Sequence, residues 1–425
     1  MEYKKIDCNS FNIHSIKTDR FKTVHLEIMF RDEAVKEDLP KYTLLSDILT
    51  DCQCKYPTRK EMAIRREELY KLSYYGINSK VGSQTILSFV ADFIDPKYIK
   101  DDNYLENVID FIFGCINKPL IKNCEFNNKI FNRAKKSLLV DIEAINECPE
   151  RKSLINAIKT MAPDTLTSCR TLGTKEEVEE ITNNDLYEAY QKLLNNFVCD
   201  IFIIGDVTDN YISIIKDKFK NRVIKDKKLN LIVKNNTRKK PLCVVETAKA
   251  SQSNLVMIYN VNLKLTKENN LIFQVFNNIL CNGGLMSILY QKVREENALC
   301  YSIKNLYMKY DGVLSIYLST DKENVKKVTT IIEKSIKEIA KGKLVTEELL
   351  RIAKENIKMI IESSLDSNVS ILNSYIFKEI DNSPLFEEKL KMLKDITLQD
   401  IINCAKLLKI NTIYELRPGE INEGN

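Results

Sequence analysis

Apolar and polar positions along this chain follow two rhythms, one of period two and one near three and a half, and the rhythm changes at turn residues. Residues 6–17 and 21–31 alternate apolar with polar around Thr18-Asp19-Arg20, which predicts a β-hairpin. In its second strand Val24, Leu26, Ile28 and Phe30 face a core. That puts His25 and Glu27 on the opposite face, and His14 has polar neighbours as well, so both histidines read as surface residues. A helix is predicted over 40–54, opened by Pro40 and striped by Leu44, Leu45, Ile48 and Leu49. A second starts at Thr58, where Glu61 completes a capping box. Strands follow at 76–82 and 85–94, then helices at 103–117, 125–147 and 149–161. Thr174 with Glu177 and Thr182 with Asp185 cap two further helices, and 199–204 is a buried strand ending at Gly205-Asp206.

The same order then recurs. After a lysine-rich connector at 221–241 come strands at 242–249 and 254–262 and a helix at 267–281. Helices at 322–341, 346–380 (long enough to be broken), 384–394 and 398–408 lead to a last strand at 411–416. Ile181-Thr182-Asn183-Asn184-Asp185-Leu186 lies over Ile396-Thr397-Leu398-Gln399-Asp400-Ile401 at an offset of 215 residues, each introducing a helix that runs into a final strand. Agreement of element order across both halves points to duplication. The class is α+β, with expected domains at 1–220 and 242–425 joined by the connector.

Between the recurring elements lies a stretch with its own character, NGGLMSILYQKVREENALCYSIKNLYMKYDGVLSIYLST, from Asn282 to Thr320. Asn282-Gly283-Gly284 supplies the backbone freedom for an abrupt helix start. Leu285, Ile288, Leu289 and Val293 make an apolar stripe at helical spacing, whereas Leu314, Ile316 and Leu318 alternate with Ser315, Tyr317 and Ser319 as a strand does. Asp311-Gly312 marks the turn of a hairpin. Two polar residues stand where helix gives way to strand, Arg294 near the helix end and Tyr301 seven residues later. A guanidinium and a phenol are both donors that stay protonated at neutral pH.

Composition narrows the function. At 425 residues the chain is long enough for two to four domains. Its net charge of +5 is small for that length and the basic runs are interrupted by acids, which argues against nucleic-acid binding. No apolar run reaches membrane-spanning length, and the first residues lack the apolar core of a signal peptide, so a cytoplasmic chain without membrane partners is expected. The twelve cysteines are scattered, as thiols of a reducing compartment would be. Cys52-Gln53-Cys54 has too short a spacing for a zinc pair and no second pair to complete it. The two histidines are eleven residues apart, so no helix brings them onto one metal, and no Cys–His pair suggests a thiol hydrolase.

The Arg294, Glu296, Leu299 and Tyr301 spacing resembles the R-x-E-x-x-L-x-Y segment of the insulinase/pitrilysin family of metallopeptidases. The order of Tyr56-Pro57-Thr58, Leu69-Tyr70, Gly173-Thr174, Ile181-Thr182 and Gly205-Asp206 extends the resemblance over nearly the whole chain. It implies a clam-shell of two homologous α/β-sandwich halves, each an antiparallel-rich sheet covered by helices on one side. It also implies that Tyr301 donates to a developing oxyanion, that Arg294 holds the substrate backbone, and that Gly283 and Gly284 lie against the substrate. The chain departs from the family in one place. Active members carry H-x-x-E-H on the first helix of the N-terminal half, with two zinc-binding histidines and a general-base glutamate. Here that helix reads PKYTLLSDILTD, and Asp47 and Asp51, which could share a face, read as solvated. No metal is therefore expected in this chain. Some family members split the site between two subunits, and the resemblance implies a non-metal subunit that meets a peptide substrate together with a zinc-bearing sibling. The alternative is an inactive peptide-binding or scaffold protein that forms a homodimer.

Overall fold

The computed structural model describes residues 1–219 and 227–419, so residues 221–226 of the expected connector lie outside the described residues. Contacts divide the chain into two compact units. One holds Met1–Glu143, Arg170–Leu231 and Asn368–Ile376; the other holds Ala144–Cys169, Ile232–Ser367 and Phe377 onward. Each unit thus takes in one stretch from the other half of the sequence.

The first unit is built on strands β1 (Glu2–Asp7), β2 (Asn12–Lys17), β3 (Thr23–Glu33), β4 (Ser73–Val81) and β5 (Gln84–Ile94), a small ribbon of β6 (Ile121–Lys122) and β7 (Glu125–Phe126), and β8 (Val198–Gly205). The sheet order is β1-β2-β8-β3-β5-β4. The predicted hairpin of 6–17 with 21–31 does not form. β8 enters between its two arms, parallel to β2 and antiparallel to β3. The reason is burial: residues 199–205 of β8 are buried without interruption, which only an inner strand sustains. The hairpin that does form is β1 with β2.

The histidines are a second correction. Both are buried. His25 Nδ1 lies 2.8 Å from Asp92 across the β3–β5 ladder. The His14 ring stacks on Phe202 at 4.1 Å, with Nδ1 2.9 Å from the Tyr3 hydroxyl and Nε2 3.3 Å from Asp200. Tyr3 in turn stacks on Tyr375. The face of the sheet that alternation leaves to solvent is thus covered within this unit by a segment more than three hundred residues away. Asp200 also accepts from Asn12 and, at 2.6 Å, from Arg31. Burial alone would raise its carboxyl pKa; the His14 hydrogen bond and the Arg31 charge outweigh that and hold it well below the usual carboxylate range.

On the other face lie α1 (Leu39–Asp51), α2 (Arg59–Glu68), α3 (Tyr104–Asn117) and α4 (Asn128–Asn146), with α5 (Pro149–Met161) departing to the second unit. They are followed by α6 (Lys175–Glu180), α7 (Asn183–Asn196) and α8 (Asp209–Lys218). The three predicted capping boxes, at Thr58, Thr174 and Thr182, are all formed.

The second unit has strands β9 (Leu242–Ala248), β10 (Ser253–Val261), β11 (Ile303–Met308), β12 (Val313–Thr320) and β13 (Leu408–Pro418) in the order β11-β12-β10-β13-β9. Its helices are α9 (Lys267–Asn277), α10 (Val325–Ala340), α11 (Glu347–Ser364), α12 (Asn368–Asp381), whose first residues belong to the first unit, α13 (Phe386–Asp395) and α14 (Leu398–Leu407). α5 packs Ala157 and Met161 against Val256, Ile258, Val313, Tyr414 and Leu416, covering one face of this sheet. Thr397 with Asp400 forms the same capping box as Thr182 with Asp185, which makes the repeat visible atom for atom. Among the described residues no helix is long and apolar enough to cross a membrane.

Candidate functional site

The stretch from α9 to β11 is wound irregularly. A π turn at Asn278–Asn282 is followed by a 3-10 turn at Gly284–Met286 and a second π turn at Tyr290–Glu295. The glycines explain the first break. A Cβ on Gly283 would sit 2.7 Å from the Asn278 carbonyl oxygen, and Gly284 holds φ +60°. Ser287 pins the turn by donating to the Cys281 and Gly284 carbonyls. Ile288, Leu289 and Val293 are buried as their spacing predicts. Leu285 is not: it stands on the 3-10 turn ahead of the helical segment and is 61% exposed.

The second π turn ends with Ala298 in the left-handed region at φ +50°, a position glycine usually fills. Its N–H donates to the Arg294 carbonyl, and the Leu299 N–H donates to that of Val293. Thr320 of β12 donates to the Leu299 carbonyl at 2.6 Å, anchoring the chain just before Tyr301. This reversal brings the two predicted residues together. The Arg294 guanidinium lies 5.2 Å from the Tyr301 ring centre and 4.7 Å from that of Tyr290, so it sits against two phenol rings. Tyr301 is 85% exposed. Tyr290 escaped the sequence reading; its signal was the four-residue spacing to Arg294, which places both on one helix face. Cys300 is no nucleophile beside them: burial pushes its thiol up to about 11, against a smaller pull from Arg294.

α1 of the first unit, where active relatives of the expected family hold zinc, has a different chemistry. Asp51 is not solvated. Its carboxylate is paired with both Arg59 and Arg133, and its side chain is 11% exposed. With Asp47, Arg66 and Tyr74 these groups border a polar cavity of about 350 Å³. Thr43 donates to the Thr171 carbonyl and accepts from Asn78, so its oxygen is committed to holding the helix. Among the described residues α1 contributes to no convergent set of three His, Cys, Asp or Glu ligand atoms. A carboxylate already paired with two guanidiniums, with no imidazole beside it, does not fit zinc.

Two α/β units, an Arg/Tyr pair in the second and, among the described residues, an α1 without a fitting set of zinc ligands are the arrangement of a peptidase-like protein that lacks the family's zinc helix. The chain is similar to insulinase-type, or M16, peptidases. The sequence model described as "Peptidase M16 inactive domain" matches residues 180–357, a span that contains Arg294 and Tyr301. Along its whole length the chain is similar to the probable inactive metalloprotease YmfF of Bacillus subtilis, 23% identical over 413 residues and 96% of each chain. Among solved structures, a conserved protein of Enterococcus faecalis superposes with a TM-score of 0.92 at 24% identity, over 99% of this chain and 100% of the other. A Pseudomonas fluorescens structure of the peptidase M16 inactive domain superposes at 0.80 and 17% identity over all of both chains. Both share the fold.

Proposed function

We propose that this chain is the non-metal subunit of a two-chain insulinase-type peptidase and lends Arg294 and Tyr301 to a zinc-bearing sibling. The observation that carries the reading is their juxtaposition: an exposed phenol and an adjacent guanidinium held by a fixed chain reversal, in a protein whose own α1 acid is already paired. The Tyr301 hydroxyl donates to the oxyanion that develops as the peptide carbonyl is attacked. Arg294, set against the two rings, offers its N–H groups to carbonyl oxygens of the peptide backbone. Gly283 and Gly284, in the turn ahead of that segment, are assigned to lie against the substrate. The metal's chemistry, polarising the carbonyl and supplying the attacking water, belongs to the sibling. Twelve free cysteines fit a reducing cytoplasm.

The test is reconstitution. Mixed with a family sibling that bears H-x-x-E-H, the chain yields a chelator-sensitive peptidase that neither subunit provides alone. A stable homodimer that binds peptides but never supports cleavage with such a sibling favours the scaffold reading instead.

A further inference from the structure

We infer that Tyr290 is a positioning residue: its ring, stacked on the Arg294 guanidinium on the opposite side of the sequence from Tyr301, fixes the orientation in which Arg294 presents its N–H groups. Three observations carry this. The Arg294 guanidinium carbon lies 4.7 Å from the Tyr290 ring centre, closer than to Tyr301 at 5.2 Å. Tyr290 is half-buried while Tyr301 is exposed, so neighbouring residues constrain the Tyr290 ring more than that of Tyr301. Among the described residues the nearest ion-pair contact of Arg294 is a 3.5 Å approach of Nε to the exposed Glu295, too long to hold a guanidinium in place. An arginine has several rotatable bonds, and ordering it needs such a neighbour.

The inference rests on the peptidase reading only where turnover is concerned, and its first test is independent of that. In the full-length chain labelled with ¹⁵N-arginine, the Arg294 Nε–H resonance, identified by its loss in R294K, lies upfield of exposed arginines because ring faces shield it. Y290F leaves it there, and Y290L moves it toward the exposed position while the other arginine resonances stay. In the reconstituted two-chain enzyme on a quenched-fluorescent peptide, Y290L lowers kcat/KM about two- to fivefold, the worth of one exposed cation–π contact, and Y290F does not. A wild-type Arg294 resonance at the exposed position overturns the role, as does one that Y290L leaves unmoved or that Y290F moves equally. A resonance that responds as stated, beside no peptide cleavage in reconstitution with an H-x-x-E-H sibling, leaves the positioning intact and removes the peptidase reading.

Discussion

The Arg294 guanidinium lies 5.2 Å from the ring centre of Tyr301, although a helix end and a left-handed residue separate them along the chain. In the proposed function the two act as one unit. Tyr301→Phe removes the hydroxyl and keeps the stacked ring, so the reconstituted peptidase loses about 10²–10³ in turnover while assembly is unchanged. Arg294→Lys keeps the charge but not the planar fork, and lowers turnover as well. Steady-state rates with size-exclusion profiles of each variant check both statements; wild-type turnover in Tyr301→Phe rules out its assigned role.

Ala298 holds φ +50° at the end of the turn that creates this pairing. An L-residue in that region is strained, and glycine relieves the strain at some cost in unfolded-state entropy. Ala298→Gly therefore stabilises the chain by about 0.5–1 kcal/mol, read as a higher urea midpoint with unchanged slope.

Asp200 contributes to the acid side of the stability curve. Its carboxyl pKa lies below the ordinary 3.8 in the folded chain, so the native state binds fewer protons than the unfolded one. The stability it contributes is full above pH 3.8 and falls away as the pH drops below that value toward the folded pKa. Asp200→Asn removes the partner of the buried Arg31 and destabilises by about 3–5 kcal/mol at neutral pH, with a flatter acid limb in thermal melts.

Thr182 and Thr397 cap equivalent helices through the same reciprocal bonds. Each Thr→Ala change costs about 1 kcal/mol, and amide exchange at Asp185 and Asp400 respectively shows the lost protection. Markedly unequal effects would argue against the equivalence of the two caps.

Local signals in the sequence were sound wherever a short stretch sets its own geometry. The capping boxes at Thr58, Thr174 and Thr182, the helix at Pro149–Met161, and the β11–β12 hairpin with Gly312 at φ +61° all depend on neighbours a few residues away. The errors have a common cause. His14 and His25 read as surface because nothing near them in sequence covers that face, and Leu285 read as buried because periodicity continues through a turn that breaks the helix. Asp51 read as solvated because Arg133 lies eighty-two residues away.

The sequence by itself determined the α+β class, the duplicated order of elements, the Arg294/Tyr301 spacing and the absence of imidazole from α1. Tertiary structure decided that β8 parts β2 from β3, that each unit takes in a stretch from the other half, and that Tyr290 joins Arg294 and Tyr301. The first set follows from backbone preference and periodicity over short spans. The second depends on which distant surfaces meet to exclude water, and that is settled only when the whole chain packs.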